Sequence, residues 1–90
     1  MNENQARALV LDALAKVAPD VDTADVSGGA DLRDDLGLDS MDFLAFVELV
    51  SESGGCAIDE DDYPAVSTVD GCVDHLVAVS GGGGRDADGG

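Results

Sequence analysis

The chain has no tryptophan and only 3% aromatic residues, so any core it builds is mostly aliphatic. Basic residues are nearly as scarce: Lys and Arg total 4 against 20 Asp and Glu, a formal charge of −16. No basic face that displaces counterions from phosphates can be assembled from so few cations, which excludes a nucleic-acid binder. No apolar run approaches the roughly 18 residues that a helix needs to cross a bilayer. The start Met1-Asn-Glu-Asn lacks the basic and then apolar order of a secretory signal, so a cytoplasmic protein without a membrane span is expected. One histidine, His75, leaves little from which to build a catalytic dyad, and near the end of a helix it reads as a surface or cap residue. Cys56 and Cys72 match neither a CxxC motif nor a four-ligand zinc spacing, and two thiols in a reducing compartment are expected.

What the chain does have is aliphatic residues at helical spacing. Hydrophobic residues make up 44%, more than an acidic disordered chain carries, so folding is expected despite charge repulsion. That repulsion also predicts stabilisation by divalent cations or moderate salt. Segment 4–18 consists of good helix formers with Val10, Ala13, Leu14 and Val17 on one stripe, and it ends ahead of Pro19. From Pro19 to Asp39 polar residues and Gly28-Gly29 predict a long connection, with Leu32, Leu36 and Leu38 turning inward and Gly37 supplying a turn.

A second helix is expected from Asp39 or Ser40 to about Ser53, capped by Asp39 and ended by Gly54-Gly55. Phe43, Phe46, Val47 and Val50 form one stripe, and Met41, Leu44 and Ala45 a second that runs into Glu48 and Glu52. Ile58 is a candidate core plug, and the acidic run Asp59–Asp62 before Tyr63-Pro64 allows one short helical turn. Thr68 caps a last helix over 69–79, with Val69, Cys72, Val73 and Leu76 at helical spacing and Gly71 lowering its intrinsic stability. The expected fold is all-α: a small bundle of three main helices plus one short helix, with a long loop between the first two. Residues 1–79 form the domain, and 80–90 a disordered Gly-rich tail with nothing to bury.

Few residues in such a chain can carry chemistry. Asp20, Asp22 and Asp31 fall at positions 1, 3 and 12 of a possible calcium loop, but Ala24 and Asp25 occupy the fifth and sixth places, where a ligand and a glycine are needed. No metal site and no catalytic residue is expected. Ser40 differs because a hydroxyl at a helix start lies among N–H groups that favour negative charge, so a phosphate ester there would be stabilised and accessible. Taken alone, such a serine reads as a helix cap.

The string Asp31-Leu-Arg-Asp-Asp-Leu-Gly-Leu-Asp-Ser-Met-Asp-Phe-Leu resembles the acyl carrier protein family. The resemblance covers about residues 4–79 and implies 4′-phosphopantetheine carried covalently on Ser40, holding acyl groups as thioesters. Asp39 matches the acid before the modified serine and Asp42 the acid two positions after it. Met41 replaces the usual leucine, a swap that nearly conserves volume. Leu-Gly-Leu-Asp before Ser40 is closer to acyl carriers than to the Gly-Gly-His/Asp form of peptidyl carriers. The resemblance further implies a phosphopantetheinyl transferase as partner, then acyl-loading and acyl-processing enzymes with basic docking surfaces. These would meet an acidic rim of Asp35, Asp39, Asp42, Glu48 and Glu52 around Met41 and Leu44. A free-standing monomer of a dissociated fatty-acid, polyketide or related pathway is expected. The rivals are a peptidyl or aminoacyl carrier, and an acidic interaction module without a prosthetic group in which Ser40 is only a cap.

Overall fold

The computed structural model describes residues 1–55 and 57–89, the side chains through Val79 only. Its elements are α1 (Glu3–Val17), a 3-10 turn (Thr23–Asp25), α2 (Ser40–Gly54), a second 3-10 turn (Glu60–Asp62) and α3 (Val69–Gly89). The all-α expectation holds: the described residues form no strand, only one isolated antiparallel bridge between Asp31 and Thr68. None of the described helices is long and apolar enough to cross a membrane.

α1 starts at a capping box. Asn2 accepts the Gln5 N–H at 2.8 Å while Gln5 Oε1 accepts the Asn2 N–H at 3.0 Å, so two donors of the first turn are satisfied reciprocally. Its inward stripe is Ala6, Val10, Ala13 and Leu14, with Val17 half-buried at its edge. This stripe packs against both α2 and α3, which makes α1 the helix the other two share.

The long loop is held down at two levels. Leu32 is fully buried and Leu38 nearly so, with Leu36 packed beside them, as the sequence pattern predicts. Burying a leucine contributes about 1.5–3 kcal/mol, enough to offset much of the ordering cost of the few residues around it. The backbone adds the Leu32 N–H to Ser67 carbonyl bond at 2.8 Å and the Asp70 N–H to Gly28 carbonyl bond at 2.9 Å, both joining the loop to the start of α3. Arg7 Nη2 meets Asp70 Oδ1 at 3.1 Å, tying α1 to the same place. Gly37, at φ +79°, makes the left-handed turn that delivers the chain to α2.

α2 has the buried face expected of it. Phe43, Phe46, Val47 and Val50 are inside, and Gly55 closes the helix in the left-handed conformation. Ile58 packs half-buried against the core, and Val66 behind it is fully buried. Cys72 is a buried core residue whose Sγ lies 3.6 Å from the Val66 carbonyl oxygen; Cys56 lies outside the described residues.

Three expectations need correcting. His75 is neither a surface residue nor a cap: its side chain is only 15% exposed, and its buried Nε2 lies 4.0 Å from Asp62 Oδ2 without a hydrogen bond. It turns inward because α3 places it on the side that faces the Glu60–Asp62 turn. Gly71 is required, not merely tolerated: an added Cβ would collide with the Ala65 carbonyl oxygen, so backbone approaches backbone there. Finally, α3 does not stop near Val79 but runs through the glycines to Gly89. No proline interrupts that stretch, and glycine costs a helix about 1 kcal/mol per residue without blocking it sterically.

Candidate functional site

Ser40 is the first residue of α2, and its position depends on its neighbours. Gly37 turns the chain, Leu38 plugs into the core and Asp39 takes the cap position, its carboxylate accepting the Asp42 N–H at 2.8 Å. The cap that Ser40 might have supplied is therefore already made. Its side chain is exposed and forms no hydrogen bond among the described residues.

The hydroxyl opens into a groove of about 490 Å³ lined by Asp31, Arg33, Ser40, Phe43, Leu44, Tyr63, Pro64 and Ser67. Three chain segments meet here: the end of the loop, the first turn of α2, and the stretch after the Glu60–Asp62 turn. Phe43 is the floor, 5% exposed, with its ring edge-to-face with Tyr63 at 5.5 Å and 86°. The Arg33 guanidinium stands 5.5 Å from the centre of the Phe43 ring. Sequence reasoning did not single out Arg33, Tyr63, Pro64 or Ser67. For Arg33 a signal existed, since a cation in a loop otherwise rich in Asp is conspicuous in so acidic a chain.

Asp31 organises the approach to the groove. Its Oδ1 accepts the backbone N–H of Asp34 at 2.8 Å and of Arg33 at 2.9 Å. Those two bonds, Asp34 first and Arg33 second, hold its carboxyl below the usual carboxylate range; partial desolvation opposes them and the Arg33 charge assists them. Asp35 returns a bond to the same turn, its Oδ2 accepting the Asp31 N–H at 2.8 Å.

The expected docking residues are exposed, apart from Asp42. Met41 is 75% exposed and Leu44 is 42% exposed, large apolar side chains left outside on a protein with few of them. Asp39, Glu48 and Glu52 are exposed and Asp42 is half-buried. Glu48 and Glu52 line a second hollow with Val47, Ser51, Ile58 and Tyr63, the last of which also lines the groove beside Ser40. Asp35 lies in the loop and is engaged with Asp31. Among the described residues, no histidine, lysine or cysteine lines the groove around Ser40, and no group of three or more side chains is suited to a metal ion.

Residues 8–76 match the protein-family model described as PP-binding, phosphopantetheine attachment site. The group that such a domain carries is covalently bound 4′-phosphopantetheine. It is joined to a hydroxyl, and the residues here fit it: an exposed, uncommitted hydroxyl at a helix N-terminus, an arginine at the rim and an open groove alongside. The family match covers most of the chain and the three helices agree with it, so the chain belongs to the phosphopantetheine-binding carrier proteins, of which acyl carrier protein is one kind.

Proposed function

We propose that Ser40 is the attachment point, and that the chain serves as an acyl carrier in a dissociated fatty-acid, polyketide or related pathway of the cytoplasm. The observation that carries this reading is that Asp39, and not Ser40, caps α2, which leaves the Ser40 hydroxyl exposed beside the groove. The reading of Ser40 as a mere cap loses its basis at the same point.

When bound, the arm supplies a terminal thiol on which acyl groups are held as thioesters. The chain's own residues do something else. Gly37, Leu38 and Asp39 fix where the Ser40 backbone stands at the start of α2, and the N–H groups of the first turn of α2 favour an anionic ester there. A separate transferase installs the arm, and the chain acts as carrier and not as enzyme, in keeping with a family whose carrier domains are not themselves catalytic. The working unit is residues 1–79.

Carrier domains of this family interact with phosphopantetheinyl transferases and with biosynthetic enzymes. For this chain the docking surface is Met41 and Leu44 within a rim of Asp35, Asp39, Asp42, Glu48 and Glu52, and its partners are basic. Charge complementarity raises association rates without requiring a large dry interface, which suits a carrier visited by several enzymes in turn. The Leu-Gly-Leu-Asp approach to Ser40 supports acyl cargo over the peptidyl or aminoacyl alternative.

Incubation with a broad-specificity transferase, magnesium and coenzyme A, followed by intact-mass measurement, tests the attachment point. Wild type gains one phosphopantetheine and Ser40→Ala gains none; modification of Ser40→Ala would refute the assignment. For the surface, Asp39→Asn keeps a capping acceptor and removes a charge, while Glu48→Lys reverses one. Both slow modification at low salt, and unchanged rates in both would remove this surface from consideration.

A further inference from the structure

We propose that Arg33 is a positioning residue for the arm: its guanidinium, held over Phe43 at the rim of the groove, binds the phosphodiester formed at the start of α2. The inference rests on Ser40 being the attachment point and adds a partner for the charge introduced there.

A phosphate at Ser40 enters an unfavourable neighbourhood. Asp39 precedes it, Asp42 lies in the same helical turn, and Asp31 lines the groove, all in a chain of net charge −16. The N-terminus of α2 offsets this only in part, because the Asp39 carboxylate already occupies the Asp42 N–H. Among the described residues that line the groove, Arg33 is the single cation.

Its situation contrasts with that of the other basic side chains described. Arg7 pairs with Glu3 and Asp70, and Lys16 pairs with Asp12. Arg33 has carboxylates on either side in sequence, yet it forms no ion pair within 4.0 Å among the described residues. The Asp31 and Asp35 carboxylates are turned instead to backbone N–H groups of the same loop. The Arg33 head rests against the Phe43 ring at 5.5 Å, and that ring is fixed in turn by Tyr63. Stacking on a ring restricts a flexible side chain and leaves its N–H fork free to meet an anion. A guanidinium fork matches phosphate oxygens two at a time, which an ammonium cannot do.

The test loads wild type, Arg33→Gln and Arg33→Lys with coenzyme A and a transferase, and confirms complete modification by intact mass. Two signals are then read: the Arg33 Nε–H resonance, and the ³¹P relaxation of the arm. Loading the wild type should shift the Nε–H resonance, a readout that needs no variant and is safe from misfolding. The held arm should be favoured in wild type over Arg33→Gln by a factor of about two to five, the range an exposed ion pair supports, with Arg33→Lys between them. Added salt should shrink the difference. An unmoved Nε–H resonance together with equal ³¹P relaxation in fully loaded wild type and Arg33→Gln would overturn the role of Arg33 and leave the attachment point intact. A wild type that gains no mass would overturn both.

Discussion

Two helices of this protein begin beside a hydroxyl, and the two hydroxyls have different fates. At the start of α3, Thr68 Oγ1 accepts the Gly71 N–H at 3.0 Å, in a half-buried position that is also bridged to Asp31. At the start of α2, Asp39 does the capping, and Ser40, one residue on, is left outside with its oxygen unused. A hydroxyl near a helix N-terminus is thus no evidence of a site by itself. The informative question is which residue satisfies the first-turn N–H groups, because a hydroxyl engaged there has neither the exposure nor the freedom to be modified.

The largest expected effect comes from breaking the α3 side of this contrast. Gly71→Ala would normally favour a helix by about 1 kcal/mol, but here the new Cβ meets the Ala65 carbonyl oxygen. Overpacking of this kind costs about 1–3 kcal/mol, so a net loss in the urea midpoint is expected. A stabilised variant would mean that the two backbones are further apart than described.

The next effect compares the hydroxyls directly. Thr68→Ala should lower stability by about 1 kcal/mol, the usual loss for a cap. Ser40→Ala, at an exposed position, should stay within about 0.5 kcal/mol of wild type while abolishing modification. Denaturation of the two variants side by side checks this. Equal losses would mean that Ser40 shares the capping after all.

The smallest effect concerns Asp31, which stands between the two helix starts. Its carboxyl is held below its ordinary value by the Asp34 and Arg33 N–H groups. A lowered folded-state value means that the ionised form stabilises the fold. That contribution is complete above the ordinary carboxylate range and is lost as pH falls through the lowered value. Asp31→Asn should therefore be less stable near neutrality and show a flatter acid limb in a pH series of thermal midpoints. An acid limb identical to wild type would remove Asp31 from this account.

Much of the α2 start could be read directly from the chain. Gly37, Asp39 and the stripe Phe43–Phe46–Val47–Val50 are local signals whose meaning needs no knowledge of other segments, and each behaves as its residue type demands. The inward leucines of the loop were legible for the same reason, since an apolar residue in a polar stretch has few other uses. What could not be read depends on distant partners. Arg33 over Phe43, Tyr63 against the same ring, and His75 facing Asp62 are contacts between separate segments with no sequence period to announce them. For Gly71 the intrinsic cost to the helix was legible but the need for it was not, for a related reason: helix propensity describes the segment by itself, and the Ala65 carbonyl is outside that description. The continuation of α3 through its glycines also ran against propensity. The capping box of Asn2 and Gln5, by contrast, was available in the spacing and simply went unread.

The loop between α1 and α2 contains one basic residue, Arg33, and it sits between the inward-turned Leu32, whose N–H is fastened to the Ser67 carbonyl, and Leu36. Trypsin can therefore sever this connection at a single bond, and only when the leucine anchor lets go. The protein carries its own tripwire for local opening: the rate of that one cut gauges how firmly the approach to the helix is seated, without any introduced probe.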